Sequence, residues 1–154
     1  MNPRIENKEA MTLLGMGRDF SMASCFAEIP LYWEEFFQKG YGETVGGRYG
    51  VCVGKDNDDS SFRYYIADPC PSDAPVPKGF EKITLPALTW AVLEGKGKIP
   101  EALQQLNRYL YEQWLPTNGT YAYGAPLSVE MYNCGDMQSE DYRFEIWQAV
   151  RKAK

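Results

Sequence analysis

Two carboxylates near the end of the chain each stand two positions before a large ring: Glu130 before Tyr132, and Glu145 before Trp147. Alternate residues of a strand share a face, so in extended backbone each pair presents an acid beside an aromatic. That grouping suits two kinds of chemistry. A carboxylate among rings can meet the charge of an organic cation while the ring faces supply apolar area and cation–π contact. If desolvation raised its pKa, the same Glu, with Tyr132 or Tyr65 beside it, could serve as a general acid or base. Histidine is absent, which removes Ser/His and Cys/His nucleophile pairs, most zinc sites and the usual proton carrier near neutral pH.

The elements that must position these residues come in two similar sets. Ala10–Met16 can be laid on Ala87–Leu93, Gly50–Val53 on Ser128–Met131, and Phe62–Ile66 on Tyr142–Ile146. All of these read as strands. Between them each half carries one helical stretch, about Pro30 to Gln38 and about Pro100 to Leu115, each with proline near its start, where a missing N–H is tolerated. In the second stretch Ile99, Leu103, Leu106, Leu110 and Trp114 recur at spacings of three and four, an apolar stripe that also marks Trp114, like Trp33 in the first stretch, as core. Short extra strands are expected near Arg4 to Asn7 and Phe80 to Leu85. The turn-forming runs Lys55–Ser61, Asp68–Pro77 and Asn133–Asp141 read as loops, the proline-rich middle one as the seam between pseudo-repeats of about 1–75 and 78–154. The resulting class is α+β: a duplicated β-α-β-β module with antiparallel sheets and helices on one face.

Parity then assigns faces. Val129 and Met131 alternate with Glu130 and Tyr132, and Phe144 and Ile146 alternate with Glu145 and Trp147. If both apolar sets pack under the helix, the opposite face gathers Glu130, Glu145, Tyr132 and Trp147. By the repeat, Cys52 takes the place of Glu130, Tyr65 that of Glu145, and Leu13 that of Trp90. A Glu on the outer face of a strand is ordinarily just solvated. Two of them flanked by Trp and Tyr form a patch that a monomer seldom displays without a use, as a ligand site or as the interface of a homodimer or partner protein.

The 154 residues are 44% hydrophobic, enough for one domain with a real core, and the net charge of −5 is the wrong sign for wrapping nucleic acid. Cationic or neutral partners fit better. Four scattered cysteines, with no C-x-x-C spacing and no signal-like start, read as free thiols of a cytoplasmic protein. No stretch has the length of a membrane span. Asn118-Gly-Thr120 reads as a turn.

The ordered motifs Leu85–Gly97, Ile99–Leu103, Tyr111–Pro116, Val129–Tyr132 and Asp141–Trp147 closely resemble the gyrase-inhibitor-like (GyrI-like) effector-binding domain. The stand-alone and integron-associated members are the most similar, and these resemble the ligand-binding module of AraC-type and multidrug-sensing transcription regulators. The resemblance spans nearly the whole chain, and more strongly its second half. It implies two sheets forming a central cleft for small molecules, often lipophilic cations, with no cofactor. It places Glu130 against the positive charge, matches Glu145 and Trp147 to a second acid and an aromatic, and puts Trp90 where relatives carry Tyr; Leu88 departs from the glycine of that pattern. The implied function is a binding module without its own DNA-binding domain. Minority readings are a hydrolase using a pocket Glu, or a gyrase-inhibitor-like interaction module.

Overall fold

Strands in this chain are longer than their apolar alternation. In the structure, a computed structural model describing residues 3–55 and 58–153, the elements run β1 (Arg4–Lys8), β2 (Met11–Ser21), α1 (Cys25–Gln38), β3 (Tyr49–Lys55), β4 (Asp58–Pro69), β5 (Glu81–Leu85), β6 (Leu88–Lys96), α2 (Glu101–Tyr109), β7 (Tyr121–Tyr132) and β8 (Arg143–Lys152). The run Lys55–Ser61, read as a loop, belongs mostly to β3 and β4; its Asp56 and Asn57 lie outside the described residues. Asn118 makes the expected turn. Its side-chain oxygen accepts from the Thr120 and Tyr121 N–H groups at 2.9 and 2.6 Å, while its amide donates to the Trp114, Leu115 and Tyr121 carbonyls.

The chain forms two compact units, a composite one of Met1–Lys8 with Leu88–Lys154 and a continuous one of Glu9–Ala87. Each is α+β, with four antiparallel strands ordered β1-β6-β8-β7 in the first and β3-β4-β2-β5 in the second. Edge strands are exchanged between halves of the sequence: β1 pairs with β6, and β5 pairs with β2. The segment read as the seam therefore lies inside the continuous unit. Lys82 of β5 donates to the Ser72 and Ala74 carbonyls at 2.9 and 2.5 Å and ties it there.

In the continuous unit α1 lays Cys25, Tyr32 and Phe36 on a core built from Leu14, Phe20, Phe62, Tyr64 and Ile66. It starts five residues before Pro30. Proline costs an interior helix one hydrogen bond, so its presence suggested a first turn; the helix instead reaches back to the buried Cys25, and the Ser24 hydroxyl donates to Glu28 at 2.7 Å beside its start. In the composite unit Leu103, Leu106 and Leu110 are the buried stripe of the second helix, which continues through a π-helical turn at Leu110–Trp114. Glu101 at its start and Arg108 near the end of α2 both favour the helix dipole.

Candidate functional site

The β7–β8 register decides which side chains meet. Val129 lies opposite Trp147, Glu130 opposite Ile146, Met131 opposite Glu145 and Tyr132 opposite Phe144. Residues opposite one another in an antiparallel ladder share a face. Glu130 and Tyr132 therefore stand with Ile146 and Phe144, whereas Glu145 and Trp147 stand on the other face with Val129. The common face expected for the four residues does not form. Alternation fixes parity within a strand but not phase between strands, and here both faces are buried: Val129 is 0% exposed, Ile146 1% and Trp147 4%.

The helix side is fixed by Gly95, which lies opposite Phe144. A Cβ there would come within 2.3 Å of the Phe144 ring and 2.9 Å of Leu106 of α2, so this position must stay bare for the helix to pack. Glu130 and Tyr132 are on the α2 side, a reversal of the expectation. Glu145 and Trp147 are on the face away from it, as expected, and Trp90, opposite Ala149, is there with them.

On that away face the acid is engaged. The Trp147 indole N–H donates to Glu145 Oε1 at 2.8 Å, and Arg4 donates to Glu145 Oε2 at 3.1 Å, to Glu94 at 2.5 Å and to Glu6 at 2.9 Å. Lys8 sits 4.3 Å from the Trp147 ring centroid, and Trp147 meets the fully buried Trp90 at 6.1 Å with planes 65° apart. These contacts brace β1 against β6 and β8. The Arg4 hydrogen bond, ahead of the Lys8 contact, holds the Glu6 carboxyl below the usual range. A lowered folded-state pKa stabilises above the unfolded value, and that contribution is lost as pH falls through the folded value. Arg4→Met is thus expected to remove part of the acid-side fall in stability and to speed amide exchange in β1. Because Arg4 is about half exposed, the global loss should be about 1 kcal/mol or less. Unchanged β1 exchange would refute the brace.

On the α2 face the Tyr132 hydroxyl, on a residue 7% exposed, donates to Glu130 Oε1 at 2.7 Å. Glu130 itself is half-buried. Beside Ser128 on this face lies Gln148, which is 1% exposed. Its amide N–H groups donate to the Ala125 and Ala149 carbonyls at 3.0 and 2.9 Å, and its oxygen accepts from Tyr111. Tyr123, opposite Val150, extends the row with a half-exposed ring. Gln148 and Tyr111 escaped the sequence reading, although a glutamine inside the apolar run Ile146–Val150 was a usable sign. A half-buried carboxylate gripped by a phenol, with tyrosine rings along the same face, can neutralise a positive charge and cover apolar area.

The ladder also revises the repeat. Ile66 faces Gly50, whereas Ile146 faces Glu130. Gly50, not Cys52, is the counterpart of Glu130, and Cys52, opposite Tyr64, stands where Tyr132 does. Short motifs with drifting offsets left that two-residue slip invisible. Tyr65, 8% exposed, lies on the face of the continuous unit away from α1 and accepts from Arg63 Nε at 3.1 Å. On the α1 face of that unit, Trp33 is half-buried rather than core. It donates to the Tyr64 hydroxyl at 2.9 Å and stacks on the half-exposed Phe37 at 6.0 Å. Trp114 is half-buried as well. None of the four cysteines is in a disulfide, and the described residues hold no His/Cys/Asp/Glu cluster fit for a metal. No described helix is long and apolar enough to cross a membrane.

The family model of the integron-associated effector binding protein matches residues 4–150. Among solved structures, SAV2435 bound to tetraphenylphosphonium has 24% identity and a TM-score of 0.86, over 98% of this chain and 94% of that one. A putative transcription regulation protein from Staphylococcus aureus MU50 has 24% identity and a TM-score of 0.82, over 98% and 99%. The integron cassette protein VCH_CASS2 from the mobile metagenome of Vibrio cholerae has 15% identity and a TM-score of 0.75, over 97% and 96%. At such identities the likeness is one of fold. Among curated proteins none matches.

Proposed function

Since this chain belongs to the family of integron-associated effector binding proteins, we propose that it is an effector-binding module for lipophilic organic cations, with Glu130 meeting the positive charge. The observation that carries this reading is the half-buried Glu130 carboxylate hydrogen-bonded to Tyr132 at 2.7 Å on the α2 face. A charge-assisted contact there is worth roughly 1.5 to 3 kcal/mol, and an aromatic face adds about 0.5 to 2 kcal/mol where water is excluded. Ring stacking and burial are less directional than hydrogen bonds, so the module should accept several cation shapes at moderate affinity. The tetraphenylphosphonium held by SAV2435 is such a cation. In this reading Glu145, Trp147 and Trp90 support the strands from behind, since both Glu145 oxygens have protein partners.

Tryptophan fluorescence tests the proposal. Tetraphenylphosphonium is expected to quench or shift the emission saturably, and the neutral triphenylphosphine oxide to do so at least tenfold more weakly. Equal responses to the two would remove charge from the recognition. No response to any of a panel of aryl cations would sink the proposal.

A further inference from the structure

We infer that Gln148 is a positioning residue for the cation site: together with Tyr111 it pins a β-bulge in β7 and so keeps Glu130 on the α2 face. This rests on Glu130 as the acceptor and adds what holds it there. Tyr123 lies opposite Val150 and Ser128 opposite Gln148, so five steps along β7 match two along β8, and three residues are in surplus. An odd surplus reverses the faces of everything beyond it. Continued without a break from Tyr123, the ladder would set Ala125 opposite Gln148 and Leu127 opposite Ile146. Val129 and Met131 would then take the α2 side, and Glu130 and Tyr132 would turn away from it. The two ends of β7 thus demand different phases, and the place of the bulge decides which one Glu130 obeys.

Gln148 marks that place. It is 1% exposed and donates to the Ala125 carbonyl at 3.0 Å, inside the surplus segment, while Ser128 takes the position opposite it in the ladder. Its oxygen accepts from the Tyr111 hydroxyl, which comes from the π-helical turn that continues α2. Turns of this kind recur at functional sites. At the start of the bulge a Cβ on Gly124 would come within 2.6 Å of the Val150 backbone, and Pro126 has no N–H to give a ladder. Gln148→Leu takes the donor from the Ala125 carbonyl, which lets the surplus move along β7 past Glu130.

Gln148→Leu and the milder Tyr111→Phe are each made in the native chain and in Glu130→Gln, then titrated by calorimetry with tetraphenylphosphonium and triphenylphosphine oxide. Tyr111 is 40% exposed, so its variant carries the test should Gln148→Leu fail to fold. The cation is expected to weaken about tenfold or more in Gln148→Leu and about threefold or more in Tyr111→Phe, the neutral ligand less than about twofold. Neither change should weaken the cation further once Glu130 is replaced. Equal losses for cation and neutral ligand, the same cation loss in Glu130→Gln, or no loss in either variant would reduce Gln148 to packing and overturn the inference, leaving Glu130 as the acceptor. Cation binding that ignores Glu130→Gln alone would overturn both.

Discussion

Replacing Glu130 by Gln is expected to lower the affinity for tetraphenylphosphonium by roughly ten- to a hundredfold, the loss of one charge-assisted contact. The substitution is nearly isosteric, and its side-chain oxygen can still accept from the Tyr132 hydroxyl, which now meets Glu130 Oε1 at 2.7 Å. What disappears is the charge. The neutral triphenylphosphine oxide, which draws only on apolar area and ring faces, should bind both forms alike. Folding should be unharmed or slightly improved, because a half-buried carboxylate costs desolvation that an amide does not. Isothermal calorimetry measures the affinities, and the urea midpoint guards against a trivial loss of fold. An equal loss for cation and neutral ligand would show that Glu130 shapes the strand without reading charge.

The largest effect on stability belongs to Trp90. Its side chain is 2% exposed and meets the edge of Trp147, itself 4% exposed, on the face of the strands away from α2. Trp90→Ala is expected to cost about 3 to 5 kcal/mol, the transfer of a large ring plus the cavity left behind. Native domains hold about 5 to 15 kcal/mol in all, so this variant should sit close to its threshold, with Tm lowered by roughly 6 to 20 °C. Trp33→Ala should cost less, because Trp33 is half-buried. Urea unfolding followed by circular dichroism gives both values. A loss below about 1 kcal/mol at Trp90 would mean that the away face is not a core, and the division of labour between the two faces would fall with it.

That division is also where sequence reasoning met its limit. Composition, the apolar stripe through Leu103, Leu106 and Leu110, and the matched motifs made the α+β duplication legible, including both short edge strands. Partner choice was not legible: the exchange of β1 and β5 depends on tertiary pairing, which leaves no local periodicity. Parity within β7 and β8 was read correctly, yet the two strands were placed in the wrong phase, because register is set by the hairpin between them and by burial on both sides. Gln148 hid inside an apolar run, and its role rests on Tyr111 from the far end of the helix. Arg4 was unreadable as the partner of Glu145, since 141 positions separate them.

The central claim is that Glu130 reads ligand charge, and a thermodynamic cycle tests it directly: tetraphenylphosphonium and triphenylphosphine oxide, each titrated into the native chain and into Glu130→Gln. The account predicts a coupling of roughly 1.5 to 3 kcal/mol between the ligand's charge and the carboxylate. A coupling indistinguishable from zero, with the cation still bound, would contradict it.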